Sequence, residues 1–214
     1  MTRKGRFITV EGTEGVGKST NLAFVSELVR SWGQTIVQTR EPGGTPLAEQ
    51  IRELLLENRS EIVSHKAELL MVFAARAQHL EQMIVPSLER GDWVLSDRFT
   101  DATYAYQGGG RGLDCKLIEQ LENCVQDELR PDLTIILDIE PEVGLARAAA
   151  RAELDRFEHE DIAFFNRVRS AYRARVEAAP ERYLLVNAGQ PLQQVQADIA
   201  RGLESVKTRW DTQG

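Results

Sequence analysis

The stretch RFITVEGTEGVGKS, Arg6 to Ser19, decides the fold. A short β-rich run ends at Glu11, and Gly12 to Ser19 then fits G-x-x-x-x-G-K-[ST] ahead of a helical pattern. Glycines let the backbone curl so that successive N–H groups and a helix N-terminus face an anion. Lys18 would reach the outer phosphates of a nucleoside triphosphate, and Ser19 could ligate Mg²⁺. Gly12, Thr13, Glu14, Gly15, Val16, Gly17, Lys18, Ser19 and Thr20 therefore form the expected triphosphate cradle.

Four further β-rich runs follow, at Gln34–Arg40, Trp93–Asp97, Leu133–Asp138 and Arg182–Asn187, each separated from the next by helical patterns. Such alternation requires crossover connections, which predicts an α/β fold with a five-stranded parallel sheet flanked by helices. After Lys18, Leu22, Val25, Leu28, Val29 and Trp32 recur at helical spacing up to Gly33. Thr45 and Pro46 are a natural N-cap and first helical residue, with Leu47, Ile51, Leu54 and Leu55 on one face. A longer helical pattern starts at Ser64 and should be kinked or divided by Pro86 before Gly91.

Composition narrows the function. The 214 residues carry 26 Lys plus Arg against 33 Asp plus Glu, a net charge of -7, which argues against general nucleic-acid binding. No apolar run approaches the ~18 residues of a membrane span, and the one after Arg6 is too short for a signal peptide, so a cytoplasmic protein is expected. Cys115 and Cys124 fall nine residues apart in a helical segment, on opposite sides and about 13 Å apart along the axis. That exceeds disulfide reach, and both read as reduced thiols, buried or half-buried.

A second cluster lies outside the loop. Asp97 ends the third strand and suits the water shell of a metal, and Arg98 beside it would enter the crevice at the carboxyl edge of the sheet. TREPGGT, Thr39 to Thr45, precedes Arg52. Phe73 and Arg76 share a helix face, an aromatic plate beside a bidentate donor, as a base would require. DRFTDATYAYQGGGRG, Asp97 to Gly112, sets Thr103, Tyr106 and Gln107 just downstream. RAAARAELDR, Arg147 to Arg156, holds three arginines, and Arg147 and Arg151 would be one turn apart on a continuous helix.

Taken together, these blocks resemble the bacterial thymidylate kinases, P-loop nucleoside monophosphate kinases that phosphorylate dTMP. The resemblance runs from FITVEGTEGVGKST through TREPGGTPLAEQIRELLL, AARAQ, SDRFTDATYAYQGGGRG and RPDLTIILD to ELDRFE. It implies a single P-loop kinase domain over residues 1–214, with a mobile lid at about 141–160, transfer of the γ-phosphate of ATP to dTMP with Mg²⁺ held at Ser19 and Asp97, and a homodimer. It also implies that Arg98 holds the dTMP phosphate. Glu11 would lie near the sugar and metal, and Arg76, Thr103 and Gln107 would read the thymine edge. Glu41, Pro42, Arg52, Phe73 and Tyr106 complete the expected dTMP site. The family's stacking aromatic commonly sits four residues before the helix arginine, which here is Val72, with Phe73 one residue later. Some members carry an arginine inside the P-loop; GTEGVGKS has none. The catalytic cation is therefore expected from the lid, with Arg151 as its chief supplier, Arg147 nearer the adenine or ribose, and Arg156 past that turn. Two readings remain beside this one: another P-loop (deoxy)nucleoside or nucleotide kinase, and a nucleotide-binding regulatory module without turnover. The absence of an N-K-x-D sequence excludes a GTPase-like switch.

Overall fold

Five strands form one sheet in the order β2-β3-β1-β4-β5, every pairing parallel. The structure, a computed structural model, describes residues 5–150, 156–157 and 159–213. In chain order the elements are β1 (Phe7–Glu11), α1 (Lys18–Ser31), β2 (Ile36–Arg40), α2 (Pro46–Leu56) and α3 (His65–His79). Then come α4 (Val85–Arg90), β3 (Trp93–Asp97), the single turn α5 (Thr100–Thr103), α6 (Cys115–Gln126) and β4 (Leu133–Asp138). α7 (Pro141–Ala149), α8 (Ile162–Ala178), β5 (Tyr183–Asn187) and α9 (Leu192–Gln213) complete the chain.

β1 is central and buried throughout because both its faces are covered. Ile8 and Val10 pack with Val25 and Val29 of α1 and with Val195, Ile199 and Leu203 of α9. Phe7, on the opposite face, packs with Leu80, Ile84, Leu88 and Phe99. The strand order reverses beside β1, so the carboxyl ends of β1 and β3 open the crevice in which this class of sheet binds ligands.

Three local features carry the site. Thr45 Oγ1 accepts from Ala48 N at 3.3 Å and Pro46 starts α2, as the sequence indicates. Pro86 does divide its helix: α3 stops at His79, a π-helical turn spans Leu80–Ile84, and α4 ends at Gly91 in the left-handed region. The wider turn accommodates a residue that offers no N–H and crowds the preceding turn. A second π-helical turn, Tyr104–Gly110, follows α5 and lies so close to α8 that a Cβ on Gly110 would come within 2.4 Å of Phe164.

Two expectations need correction. Both cysteines are exposed rather than buried: Cys124 lies away from the face of α6 that carries Ile118, Glu122 and Gln126, and Cys115 is the first residue of the helix, at its end. The helix carrying Arg147 ends at Ala149, so a continuous helix joining Arg147 to Arg151 is not supported; Arg151 lies outside the described residues.

Candidate active site

The chain leaves β1 through Gly12 (φ 139°), Gly15 (φ 70°) and Gly17 (φ 83°), conformations that L side chains rarely adopt. Gly15 is also sterically required: an added Cβ would lie 1.9 Å from the carbonyl of Gly144 in α7. Gly17 caps α1 without a side-chain bond, which leaves backbone N–H groups and the positive end of the helix facing the loop. Val16 is the loop's anchor, buried in the core on the α1 side of the sheet. Lys18 Nζ donates to Gly12 O (3.1 Å) and Thr13 O (3.0 Å) and lies across the loop.

Burial, with repulsion from Arg98, lowers the Lys18 pKa to about 8. The free ammonium therefore loses its proton as pH rises through about 8, and a bound triphosphate would draw the proton back. ATP binding at pH 9 should then take up about one proton per nucleotide, against little at pH 7. Calorimetry in buffers of different ionisation enthalpy measures this, and binding at pH 9 with no proton uptake would sink the assignment.

Ser19 and Asp97 line one cavity between the loop and β2. Asp97 Oδ1 is buried there and has no hydrogen-bond partner among the described residues. A carboxylate oxygen so placed beside a hydroxyl fits a hard divalent cation and its waters.

A second cavity opens between α2, α3, β3 and the π-helical turn. Arg98 guards its boundary with the loop, held in the left-handed region at φ 67°. Its Nη2 donates to Gly12 O (3.4 Å), Glu14 Oε1 (2.7 Å) and Tyr106 OH (2.9 Å), while Nε is buried without a partner among the described residues. Two bonds fix this unusual backbone: Ser96 Oγ donates to Arg98 O (2.7 Å), and Phe99 N donates to Glu11 Oε1 (2.7 Å). Glu11 is fully buried, and burial together with the Asp101 charge raises its pKa to about 8. Its other oxygen accepts from Tyr172 OH at 2.8 Å.

At the far end Arg76 is only 1% exposed. Its Nε donates to Glu41 Oε2 (2.7 Å) and its Nη2 to Thr103 Oγ1 (2.9 Å), but Nη1 is buried with no partner among the described residues. Glu41 is fixed in turn by His79, whose Nδ1 lies 3.0 Å from Oε1. Arg52 Nη1 donates to Pro42 O (3.0 Å) and closes the cavity's side. A buried cation with one aimed, unmatched donor is costly unless something accepts from it. The cavity therefore offers an anion site at Arg98, next to the phosphate loop, and a carbonyl site at Arg76.

The thymidylate kinase family matches residues 10–199. Thymidylate kinase of Teredinibacter turnerae is 66% identical over 94% of this chain and 98% of its own length, and that of Ectopseudomonas mendocina is 61% identical over 94% and 96%. The crystal structure of thymidylate kinase from Ehrlichia chaffeensis superposes with a TM-score of 0.77 at 33% identity, covering 94% of this chain and 98% of that one. The chain belongs to the thymidylate kinase family. It is a phosphotransferase that phosphorylates dTMP to dTDP with ATP.

Within this kinase the second cavity gathers Glu41, Pro42, Arg52, Arg76, Arg98, Thr103, Tyr106 and Gln107, all expected from the sequence. Glu14 joins them: its backbone belongs to the phosphate loop, but its side chain accepts from Tyr106 OH (2.8 Å) and lines the second cavity. Two expected dTMP residues are not among the lining. Glu11 lies beneath the floor and shapes it through Phe99. Phe73 is core, packed with Leu69 and Ile118 and under the Arg76 guanidinium at 4.9 Å, and it is Val72 that lines the cavity. Arg147 Nη1 donates to Ala188 O (3.2 Å) just past β5. Phe157 lines the second cavity, and Arg156 Nε donates to the carbonyl of Leu55 in its wall (2.8 Å). Leu55, Leu56, Phe99, Ala102 and Phe157 also line it and were not expected. Leu55 and Phe99 look like ordinary core residues in sequence, and the only signal for Phe157 was its place after the last lid arginine.

Proposed function

We propose that dTMP lies in the second cavity with its phosphate on Arg98 and its thymine edge on Arg76, Thr103 and Gln107, opposite ATP held by the loop from Gly12 to Thr20. The observation that carries this reading is Arg76 Nη1, a buried donor without a partner among the described residues, on a side chain lining a cavity whose other end is the half-buried Arg98 beside the phosphate loop. Transfer between phosphates needs positioning and charge neutralisation more than covalent chemistry, and no nucleophilic side chain is required. Lys18 neutralises the transferring group, Arg98 orients the attacking phosphate oxygen, and Arg151 supplies the remaining cation. Ser19 and Asp97 would hold Mg²⁺, which would supply charge neutralisation at the outer phosphates of ATP. We place the enzyme in the cytoplasm as a single kinase domain, residues 1–214 with the lid at about 141–160, forming a homodimer. Exposed Leu47 and Leu54, two turns apart on α2, with Leu70 on α3, support an apolar contact between copies.

Arg76→Ala tests the base assignment. Since the lost donor serves only the acceptor, KM for dTMP should rise about tenfold to a hundredfold while the affinity for ATP stays within about twofold. Equal losses for both nucleotides would assign Arg76 to folding instead.

A further inference from the structure

We infer that Glu68, which reaches no substrate, is a positioning residue that fixes the hydrogen-bonding polarity of the acceptor cavity and anchors its lid-side wall. The inference rests on the proposed reading of that cavity as the dTMP site. Glu68 is 0% exposed on α3, and among the described residues each side-chain neighbour that bonds it is a donor. Oε1 accepts from Gln107 Nε2 at 2.9 Å and Arg111 Nε at 3.2 Å, and Oε2 accepts from Arg156 Nη2 at 2.8 Å.

An ionised carboxylate only accepts, so the NH₂ end of Gln107 must face Glu68, and the carbonyl Oε1 is the end left for the cavity that Gln107 lines. With Nη1 of Arg76, which has no partner among the described residues, the cavity then presents a donor together with an acceptor. That pattern complements a pyrimidine edge with a carbonyl beside a ring N–H, as in thymine and uracil. Cytosine, with an amino group beside a bare ring nitrogen, shows the reverse. Glu68 thereby makes the cavity exclude cytosine without touching the base.

The same carboxylate holds the wall. Arg156 donates through its backbone N to Leu56 O (3.3 Å) and through Nε to Leu55 O (2.8 Å), and its guanidinium lies 4.4 Å over the Phe157 ring. Leu55, Leu56 and Phe157 all line the cavity. Removing the buried counter-charge would take from Arg156 its carboxylate partner among the described residues, while Arg111 keeps Glu160, so the anchor depends on the charge as well as the shape.

Glu68→Gln keeps the shape, but its new NH₂ meets a donor wherever it points. Toward Gln107 it favours the reversed amide; toward Arg156 it releases the wall. The ratio of kcat/KM for dTMP over dCMP should fall at least about tenfold and KM for dTMP should rise severalfold, with KM for ATP within about twofold. In a Gln107→Leu background the same substitution should change the ratio no further. A lowered Tm with both the ratio and KM for dTMP unchanged would overturn the inference. If Gln107→Leu shifts the ratio and Glu68→Gln does not, only the role of Glu68 fails; if Gln107→Leu and Arg76→Ala both leave dTMP use unchanged, the reading of the cavity itself fails. Should Glu68→Gln not fold, Arg156→Lys retains the charge without the directed bonds. It should raise KM for dTMP with the ratio intact, and an unchanged KM overturns the inference.

Discussion

Lys18→Ala should lower kcat about a hundredfold to a thousandfold while leaving a folded protein. Lys18 is the first residue of α1, alanine is the best helix former, and among the described residues Lys18 Nζ bonds only the loop carbonyls of Gly12 and Thr13. What is removed is a cation over the phosphates during transfer, a preorganised charge of the kind whose loss costs this much in turnover. Steady-state kinetics beside a thermal melt separates the two effects. Near wild-type turnover by a folded variant would refute the role, and a collapsed melting transition would assign Lys18 to the loop's architecture.

Arg151→Ala should cost about a thousandfold or more in turnover with little change in ATP binding, because a cation supplied in cis to a transferring phosphoryl group acts mainly in the transition state. The phosphate loop contains no arginine, and Arg147 and Arg156 flank Arg151 in the sequence. Arg156 is engaged by Glu68 and the Leu55 carbonyl on the acceptor side, and Arg147 reaches the Ala188 carbonyl beyond β5. Turnover falling less than about tenfold, or only in step with ATP affinity, would mean that another residue supplies the charge.

The parallel sheet was legible because its strands are short, β-rich and bounded by helical periodicity, and Trp93–Asp97 and Leu133–Asp138 are read to the residue. The phosphate loop was legible because its glycines are dictated by backbone geometry, which sequence encodes directly. The acceptor cavity was readable as a set of polar residues, but not in its layering. Phe73 and Val72 are adjacent on α3, and one residue is 100° of rotation, so spacing relative to Arg76 places both near the same side. Packing against Leu69 and Ile118 decides that Phe73 goes inward. Glu11 could not be separated from a ligand-facing carboxylate for a related reason. Its partners Tyr172 and Phe99 come from α8 and the turn after β3, and only the closed fold brings them beneath the loop. Glu68 gave no local signal at all, because its significance lies in three donors, at 107, 111 and 156, that meet only in three dimensions.

The most direct test of the account is a crystal structure of this chain with dTMP bound. The account predicts a thymine carbonyl within hydrogen-bond distance of Arg76 Nη1 and the phosphate on Arg98 beside the phosphate loop. Density for dTMP outside the cavity lined by Arg76, Arg98 and Gln107, or with the base and phosphate ends exchanged, would contradict it.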